Sequence, residues 1–545
     1  MSAATIVNVL PLKPVSLTTA APQFILLCAV LIAAQLPWTR HIGSYLARRF
    51  YGLLYLVRGP QVIDHAYDKA KGQPFKVSTP SNDHLLVTSN DLIKELIHAP
   101  LEHLSLHAVA KEILQPKHTM YGFEWQDQRG VEGTGFVRAL RSLLTSHLPQ
   151  FQPDLERILN ESMEKELGTI RPDGYAHAKL FPLMKKIVTK VNCFIFFGDE
   201  LSRNTEFTDA ALEFPQAVIF AAEFLRITPG FLRPFVASAA TSRHKAAKTL
   251  HRYLVPIVEQ RLAVRGVPGA EVPTDCIQWL IDTSPRKNPW TASRMVGEIM
   301  AVWFGSVHQL AMGQTTTYAI EDLCLHPEHI APLREEAQEL FLAEDSPRDV
   351  NRLLFLDSFI KESIRCSNSD ASEPDTTQCP NQSNGTTDNH FAVTCRRKAL
   401  VSYTFGDGST INKGDWVCVP QRAMMQDSTR YRDPQTFDGF RFARANAQFR
   451  HQQQQQQPYS ADVPDRKESS LTDASAEWPI WGFGNTACPG RFYANLVTKL
   501  ILIRILDVWE CKMRDPAAPR SRVWRSSMVP RGDTIVMFRK RETAD

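Results

Sequence analysis

The segment WPIWGFGNTACPGRFYANLVTKL, Trp478 to Leu500, sets one cysteine, Cys488, between a glycine-punctuated loop and an apolar helix. Gly482 and Gly484 permit tight turns and let a flat ligand approach the main chain. Pro489 suits a helix's first turn, and RFYANLVTKLILIRIL (Arg491–Leu506) carries the helix on. A cysteine at a helix N-terminus faces the positive end of the dipole and unpaired N–H groups, which favour thiolate. A thiolate is a nucleophile or a metal ligand. A nucleophile needs a histidine base, and none is marked out nearby. A single thiolate facing a glycine-lined flat space suits an axial ligand to haem iron. A buried cysteine in a helix-capping turn is the competing reading.

The elements that must carry this loop are mostly helices. LERILNESMEKELG (Leu155–Gly168) and HIAPLREEAQELFL (His329–Leu342) place apolar residues at three- and four-residue spacing. HLLVTS (His84–Ser89) reads as a short strand. Ala399–Pro420 reads as a hairpin turning at Gly406-Asp407-Gly408. The fold class is therefore mainly α with small β-sheets, an α+β arrangement. Two polar stretches, about 366–390 and 447–475, read as solvated insertions; the second holds six successive glutamines, Gln452–Gln457.

The 545 residues carry a net charge of +4, so no broad basic field invites nucleic acid. No two of the ten cysteines form C-x-x-C, which disfavours zinc ribbons. No charged side chain lies between Lys13 and Arg40, and the apolar centre is FILLCAVLIAAQL, Phe24–Leu36. With its flanks this run reaches the ~20 residues a membrane span needs. Arginines follow it, which predicts a cytosolic C-terminal side. The expected organisation is an anchor over 1–40, spanning about 16–38, then a catalytic body over 41–545. A cleaved signal peptide is the alternative.

The cysteine loop resembles the cysteine-pocket signature of the cytochrome P450 superfamily, F-x-x-G-x-R-x-C-x-G, and its ACPGRF is similar to fungal microsomal members. Gly484, Cys488 and Gly490 fall on the fixed positions; Trp481 stands for the phenylalanine and Thr486 for the basic residue that contacts a haem propionate. FIKESIR holds Glu362 and Arg365 as the family's E-x-x-R. DPQTFDGFRF (Asp433–Phe442) resembles P-x-x-F-x-x-x-R-F, and Arg441 would complete a Glu–Arg–Arg cluster behind the haem. In CRRKALVSY, Arg397 resembles the strand arginine that holds a propionate, with Arg396 a near alternative. Arg129, in Trp125-x-x-x-Arg129, and Arg141, in FVRALRSLLT (Phe136–Thr145), are equal candidates for a second propionate.

Met295–Glu328 resembles the family's central helix, ending at His326-Pro327. The oxygen-activating acid–Thr pair is replaced in the best register by His308 and Gln309. The resemblance implies the P450 fold with haem b ligated by Cys488, and monooxygenation of a lipophilic molecule, a fungal terpenoid or alkaloid. It also implies electrons from NADPH through NADPH–cytochrome P450 reductase. Glu213–Val236 resembles the F–G region that roofs the substrate entrance near the membrane. The expected place is the endoplasmic reticulum membrane, single-pass, facing the cytosol. The missing acid–Thr pair leaves a haem-thiolate isomerase or dehydratase as an alternative, and a non-catalytic haem-binding membrane protein as another.

Overall fold

The computed structural model describes residues 37–124, 139–286, 289–308, 312–342, 349–367, 390–391, 393–455, 468–525 and 527–542. Its first helix, α1 (Pro37–Ala70), contains Pro60, which has no N–H to offer the carbonyl of Leu56. The helix accordingly breaks at Arg58, with φ −135° and ψ 33°. The freed Leu56 carbonyl accepts the Arg525 N–H at 2.8 Å, tying the N-terminal helix to the C-terminal strands.

The other principal helices are α2 (Asn90–His98), α3 (Thr145–Leu167), α4 (Leu180–Phe197), α5 (Thr205–Leu225), α6 (Lys245–Ala263), α7 (Ala292–His308), α8 (Met312–Leu325), α9 (Ile330–Leu342), α10 (Leu354–Ser367), α11 (Arg441–Gln455) and α12 (Arg491–Val508). Polar caps start several of them. Ser89 accepts the Leu92 N–H before α2, and Asn204 accepts the Phe207 N–H before α5. The helices converge on one apolar core. Trp303 of α7 is fully buried there against Phe196 and Phe197, and its indole N–H reaches the Ala211 carbonyl at 2.9 Å. Burying a side chain of this kind contributes about 1.5–3 kcal/mol.

The strands are β1 (Phe75–Ser78), β2 (Asp83–Leu86), β3 (Leu104–Ser105), β4 (Ala176–Lys179), β5 (His390–Phe391), β6 (Thr394–Ala399) and β7 (Tyr403–Thr404). They continue as β8 (Thr410–Ile411), β9 (Trp416–Val419), β10 (Trp509–Met513), β11 (Ser521–Trp524), β12 (Ser527–Pro530) and β13 (Ile535–Lys540). The largest sheet has the order β1-β2-β9-β6-β3; smaller ones are β10-β13-β4, β11-β12-β5 and β7-β8. The expected hairpin turn is present between β7 and β8, where Gly408 donates to Phe405 at 2.9 Å. The mainly helical body with small sheets is thus as expected.

The polar insertions are shorter than their composition suggested. Cys366 and Ser367 finish α10, and His390 opens β5. Helix α11 extends to Gln455 and so takes in part of the polyglutamine stretch, because glutamine is a good helix former. At its far end Leu471 is buried, and its N–H donates to Asp357 at 2.7 Å. The expected central helix comprises α7 and α8, with 309–311 outside the described residues. Among the described residues no helix is long and apolar enough to cross a membrane; the expected span lies almost entirely outside them.

Candidate active site

Gly490 is the N-cap of α12, so Cys488 lies two residues ahead of the cap and Pro489 precedes the first turn rather than forming it. The loop before it is two tight 3-10 turns, Pro479–Trp481 and Gly484–Thr486. The Cys488 N–H donates to the Trp481 carbonyl at 2.7 Å and closes the loop on itself. Gly482 sits at φ 71° and ψ −166°, and a Cβ there would stand 2.9 Å from the Thr486 carbonyl. Only glycine meets both demands.

Burial pushes the Cys488 thiol above its ordinary range; the Gly490 N–H and the Arg491 charge pull the other way without outweighing it. Burial therefore outweighs the pull of the helix start on this thiol. The cysteine stands outside the helix's first turn, half-buried. Binding a cation displaces the thiol proton, so this cysteine is matched to a metal rather than to free nucleophilic chemistry.

Three elements grip the loop around it. Trp481 donates its indole N–H to the Leu471 carbonyl at 2.6 Å. Arg491 donates to the Cys488 carbonyl at 3.1 Å and to the Thr472 carbonyl at 3.0 Å. From across the molecule, a π-helical turn at Ala139–Leu144 presents Arg141, which donates to the Asn485 carbonyl at 3.1 Å. That turn runs straight into α3. Trp125 and Arg129 lie outside the described residues.

The strand arginine is more informative. Register in β6 slips by one residue against β9, between Thr394 and Arg397, and Cys395 within this bulge has φ 50°. Arg397 consequently points to the loop and donates to the Thr486 hydroxyl at 2.8 Å. It is 3% exposed. Its other partner is the Arg396 carbonyl, at 2.9 Å. No carboxylate pairs with it among the described residues, and burial pulls its guanidinium below the ordinary range. A buried, uncompensated cation beside the cysteine loop is costly unless an anion joins it. A group that brings both a metal for Cys488 and carboxylates for Arg397 and Arg141 fits these residues. Thr486, where a basic residue was expected, serves as the strand arginine's acceptor.

Behind the loop, α10 supplies Glu362 and Arg365, both with fully buried side chains. Their spacing puts them on one helix face. Arg365 bonds both carboxylate oxygens at 2.7 Å. Arg441 reaches the same carboxylate at 3.1 Å, and the Asp438 N–H reaches it at 3.0 Å. Arg365 also donates to the Met425 and Pro434 carbonyls, at 2.9 and 2.7 Å. Burial opposes its charge, yet Glu362 holds the Arg365 guanidinium above its ordinary range. The cluster thereby fastens the irregular chain of residues 425–441 to α10. His329 assists by accepting the Gly439 N–H at 3.2 Å.

Sequence reasoning passed over Lys361. This buried lysine lies 4.6 Å from the Phe442 ring centre and 4.5 Å from that of Trp478, and donates to Ser469 and to the Ser470 carbonyl. It joins α10 to the first residue of the cysteine loop. No local signal marks it, since its partners lie about a hundred residues away. His308 ends α7, but its side chain and all of Gln309 lie outside the described residues.

Comparison with known proteins accords with this arrangement. The Cytochrome P450 family model matches residues 50–373 and 389–535. The chain is similar to cytochrome P450 monooxygenase olcJ of Penicillium canescens, at 27% identity, with 90% of this chain and 84% of that one aligned. Ent-kaurene oxidase P450-4 of Gibberella fujikuroi is 26% identical, with 90% of each chain covered. Cytochrome P450 monooxygenase paxP of Penicillium paxilli is 24% identical, over 93% of this chain and 91% of its own. The fold is also that of retinoic acid bound cyanobacterial CYP120A1, with a TM-score of 0.60 at 14% identity, covering 88% and 94% of the two chains. With a family match over most of its length and a cysteine loop built as described, the chain belongs to the cytochrome P450 family of haem-thiolate monooxygenases.

Proposed function

We propose that the enzyme holds haem b through the Cys488 sulfur and oxidises a lipophilic small molecule of fungal secondary metabolism, of terpenoid or alkaloid class. The observation that carries the cofactor assignment is Arg397, buried, bonded to Thr486 of the cysteine loop and lacking a carboxylate among the described residues. Arg397 and Arg141 would hold the propionates. Gly490, where a Cβ would meet nothing within 4 Å, would leave room beside the ring, Gly484 at φ 57° would hold the turn ahead of it, and Trp481 would wall the thiolate side. When bound, haem supplies oxygen activation and substrate oxidation. The Gly490 N–H and Arg491 charge moderate the sulfur's electron density, as outer partners do for a metal ligand. His308 and Gln309, from their place in the central helix sequence, are assigned to hold water and pass protons on the substrate side. Electrons come from NADPH through NADPH–cytochrome P450 reductase. Relatives named as monooxygenases and as an ent-kaurene oxidase support this reading.

The body is proposed to sit on the endoplasmic reticulum membrane with its catalytic domain in the cytosol, anchored through about 16–38. Ile227, Phe231 and Phe235, beyond α5, are 78%, 77% and 74% exposed, an apolar patch suited to lipid. Arg525 links this side to α1: its N–H bonds Leu56 and its guanidinium bonds Glu223 at 2.9 Å. Phe231→Ser with Phe235→Ser, in a chain lacking residues 1–36, is expected to abolish flotation with liposomes; unchanged flotation would remove the patch from the proposal.

The cofactor assignment is tested by the reduced, carbon-monoxide difference spectrum of membranes holding the protein, beside Cys488→Ser. A strongly red-shifted Soret band in wild type and its loss in the variant are expected. A folded wild type without that band would overturn haem-thiolate ligation. NADPH-dependent turnover in the presence of reductase then tests the reaction, and product formed per NADPH consumed in His308→Ala tests the proton role.

A further inference from the structure

The 18 residues of α12 carry its last turn about 27 Å from the cysteine loop, at 1.5 Å per residue. A cavity of about 250 Å³ lies at that far end, walled by Leu323 of α8, Ile330 of α9, Ile505 and Leu506 of α12 and Trp509 of β10. At ~30 Å³ for each water, it has room for about eight water-sized groups. Arg334 of α9 stands in the same wall. Its Nε donates to the Leu506 carbonyl at 2.9 Å, and its Nη2 reaches the Trp509 carbonyl at 3.4 Å. Arg541, just past β13, donates to the same Leu506 carbonyl at 3.2 Å and to the Asp507 carbonyl at 2.9 Å. Two guanidiniums therefore meet on one carbonyl. The end of a helix carries only about half a negative charge, too little to balance two cations. Among the described residues no carboxylate pairs with either arginine. Glu510, the acidic residue of the cavity wall, is bonded instead by Arg539, at 3.2 and 2.5 Å. Burial, then the neighbouring Arg541 charge, pulls the Arg334 guanidinium below its ordinary range, with Glu510 opposing. Trp509 is 1% exposed, and its indole N–H has no acceptor among the described residues. A buried donor left unpaired is costly until an oxygen reaches it.

We propose that this cavity binds a small amphiphilic carboxylate, with the anionic head on Arg334 beside Arg541 and an alkyl chain of about eight carbons against Leu323, Ile330 and Ile505. The polar and apolar halves of the site each narrow the class. Cations are repelled by the two unpaired guanidiniums. A bare inorganic anion would answer the arginines but leave the aliphatic wall uncovered. A neutral hydrocarbon would cover the wall but leave the guanidiniums without a counter-charge. A carboxylate with a short chain answers both, as ligand sites with an apolar lining and a few convergent polar groups do. Occupancy joins the end of α8, the start of α9, the end of α12 and β10 through one molecule. The ligand thereby braces the central helix against the helix that follows the cysteine loop, without entering the loop itself.

The test uses the full chain in membranes solubilised with a non-ionic detergent, and a diazirine-bearing octanoate as the probe. Irradiation, digestion and mass spectrometry locate the label. The label is expected on peptides covering 323–334 and 505–511, and unlabelled octanoate should remove it. Octan-1-ol, with the same chain and no charge, should compete at least about tenfold more weakly, as loss of a charged hydrogen bond implies. Arg334→Gln should lower the labelling by a similar factor while its carbon-monoxide band keeps the wild-type position and intensity, since Arg334 lies at the other end of α12 from the cysteine loop. Wild-type protein with no label on either segment, or with label confined to other peptides, overturns the proposal, with no reliance on a variant's folding. Equal competition by octanoate and octan-1-ol overturns the assignment of a carboxylate. Undiminished labelling of a folded Arg334→Gln protein overturns the place given to the head group.

Discussion

Replacing Glu362 by Gln removes one negative charge from between two guanidiniums while keeping the side chain's shape. Three N–H donors converge on Oε1: Arg365 at 2.7 Å, Arg441 at 3.1 Å and the Asp438 N–H at 3.0 Å. Arg365 fills Oε2 at 2.7 Å. A glutamine can offer its carbonyl to these three only by turning its NH2 against the Arg365 N–H that Oε2 accepts. Hydrogen bonds to charged groups contribute about 1.5–3 kcal/mol each. Leaving a buried charge without its partner costs about 3–5 kcal/mol. Because the carboxylate serves two cations, the loss should fall in that second range, a large fraction of the ~5–15 kcal/mol that holds a protein folded. Urea unfolding followed by tryptophan fluorescence should show a lowered midpoint with little change in slope. The surviving folded fraction should keep the wild-type carbon-monoxide band, since Glu362 does not touch the cysteine loop. A midpoint matching wild type to within about 0.5 kcal/mol would refute the view that this carboxylate holds residues 425–441 in place.

Two further predictions concern charge. Arg397→Leu removes the buried guanidinium beside Thr486. Loss of a charged hydrogen-bond partner worth about 1.5–3 kcal/mol implies roughly ten- to a hundredfold faster haem transfer to apomyoglobin, and an unaltered rate would exclude a propionate role. His84 is stacked on Trp416, and burial holds its pKa at about 3, against about 6.5 unfolded. The folded value is the lower one, so this contribution is intact above about pH 6.5 and drains away as pH falls toward 3. Between pH 6.5 and 4.5 the loss is about 2.3 kcal/mol, just under the full slope of 1.36 kcal/mol per unit because the unfolded histidine is half protonated at the start. His84→Phe should flatten that part of the stability profile; an unchanged slope would place the acid sensitivity elsewhere.

Much of this site could be read from local spacing. Glu362 and Arg365 sit three residues apart on one helix, and Gly482 to Gly490 sit on one loop, so residue order nearly dictates their geometry. What order does not carry is depth. The dipole rule predicted a lowered thiol at Cys488, whereas burial decides its sign. Thr486 read as a missing basic residue, yet its hydroxyl is a needed acceptor for a strand more than eighty residues away. Lys361 was invisible because a lysine beside a glutamate looks like solvated surface until Phe442 and Trp478 close over it. The polar stretches misled in the opposite sense, since their ends are captured by α10, α11 and the contacts of Leu471.

The bulge in β6 settles a choice between two adjacent, chemically identical side chains. In an uninterrupted strand, neighbours face opposite ways, and a slip of one position exchanges them. The extra residue at Cys395 fixes the pairing of everything after it, so Arg397 meets Thr486 whatever happens earlier in the chain. The polar stretch ahead of β5 can then lengthen or shorten without handing the position to Arg396. Deleting one residue between Thr394 and Arg397 would not be absorbed in this way. A single strained residue thus keeps count on behalf of the pocket, whatever the length of the segment before the strand.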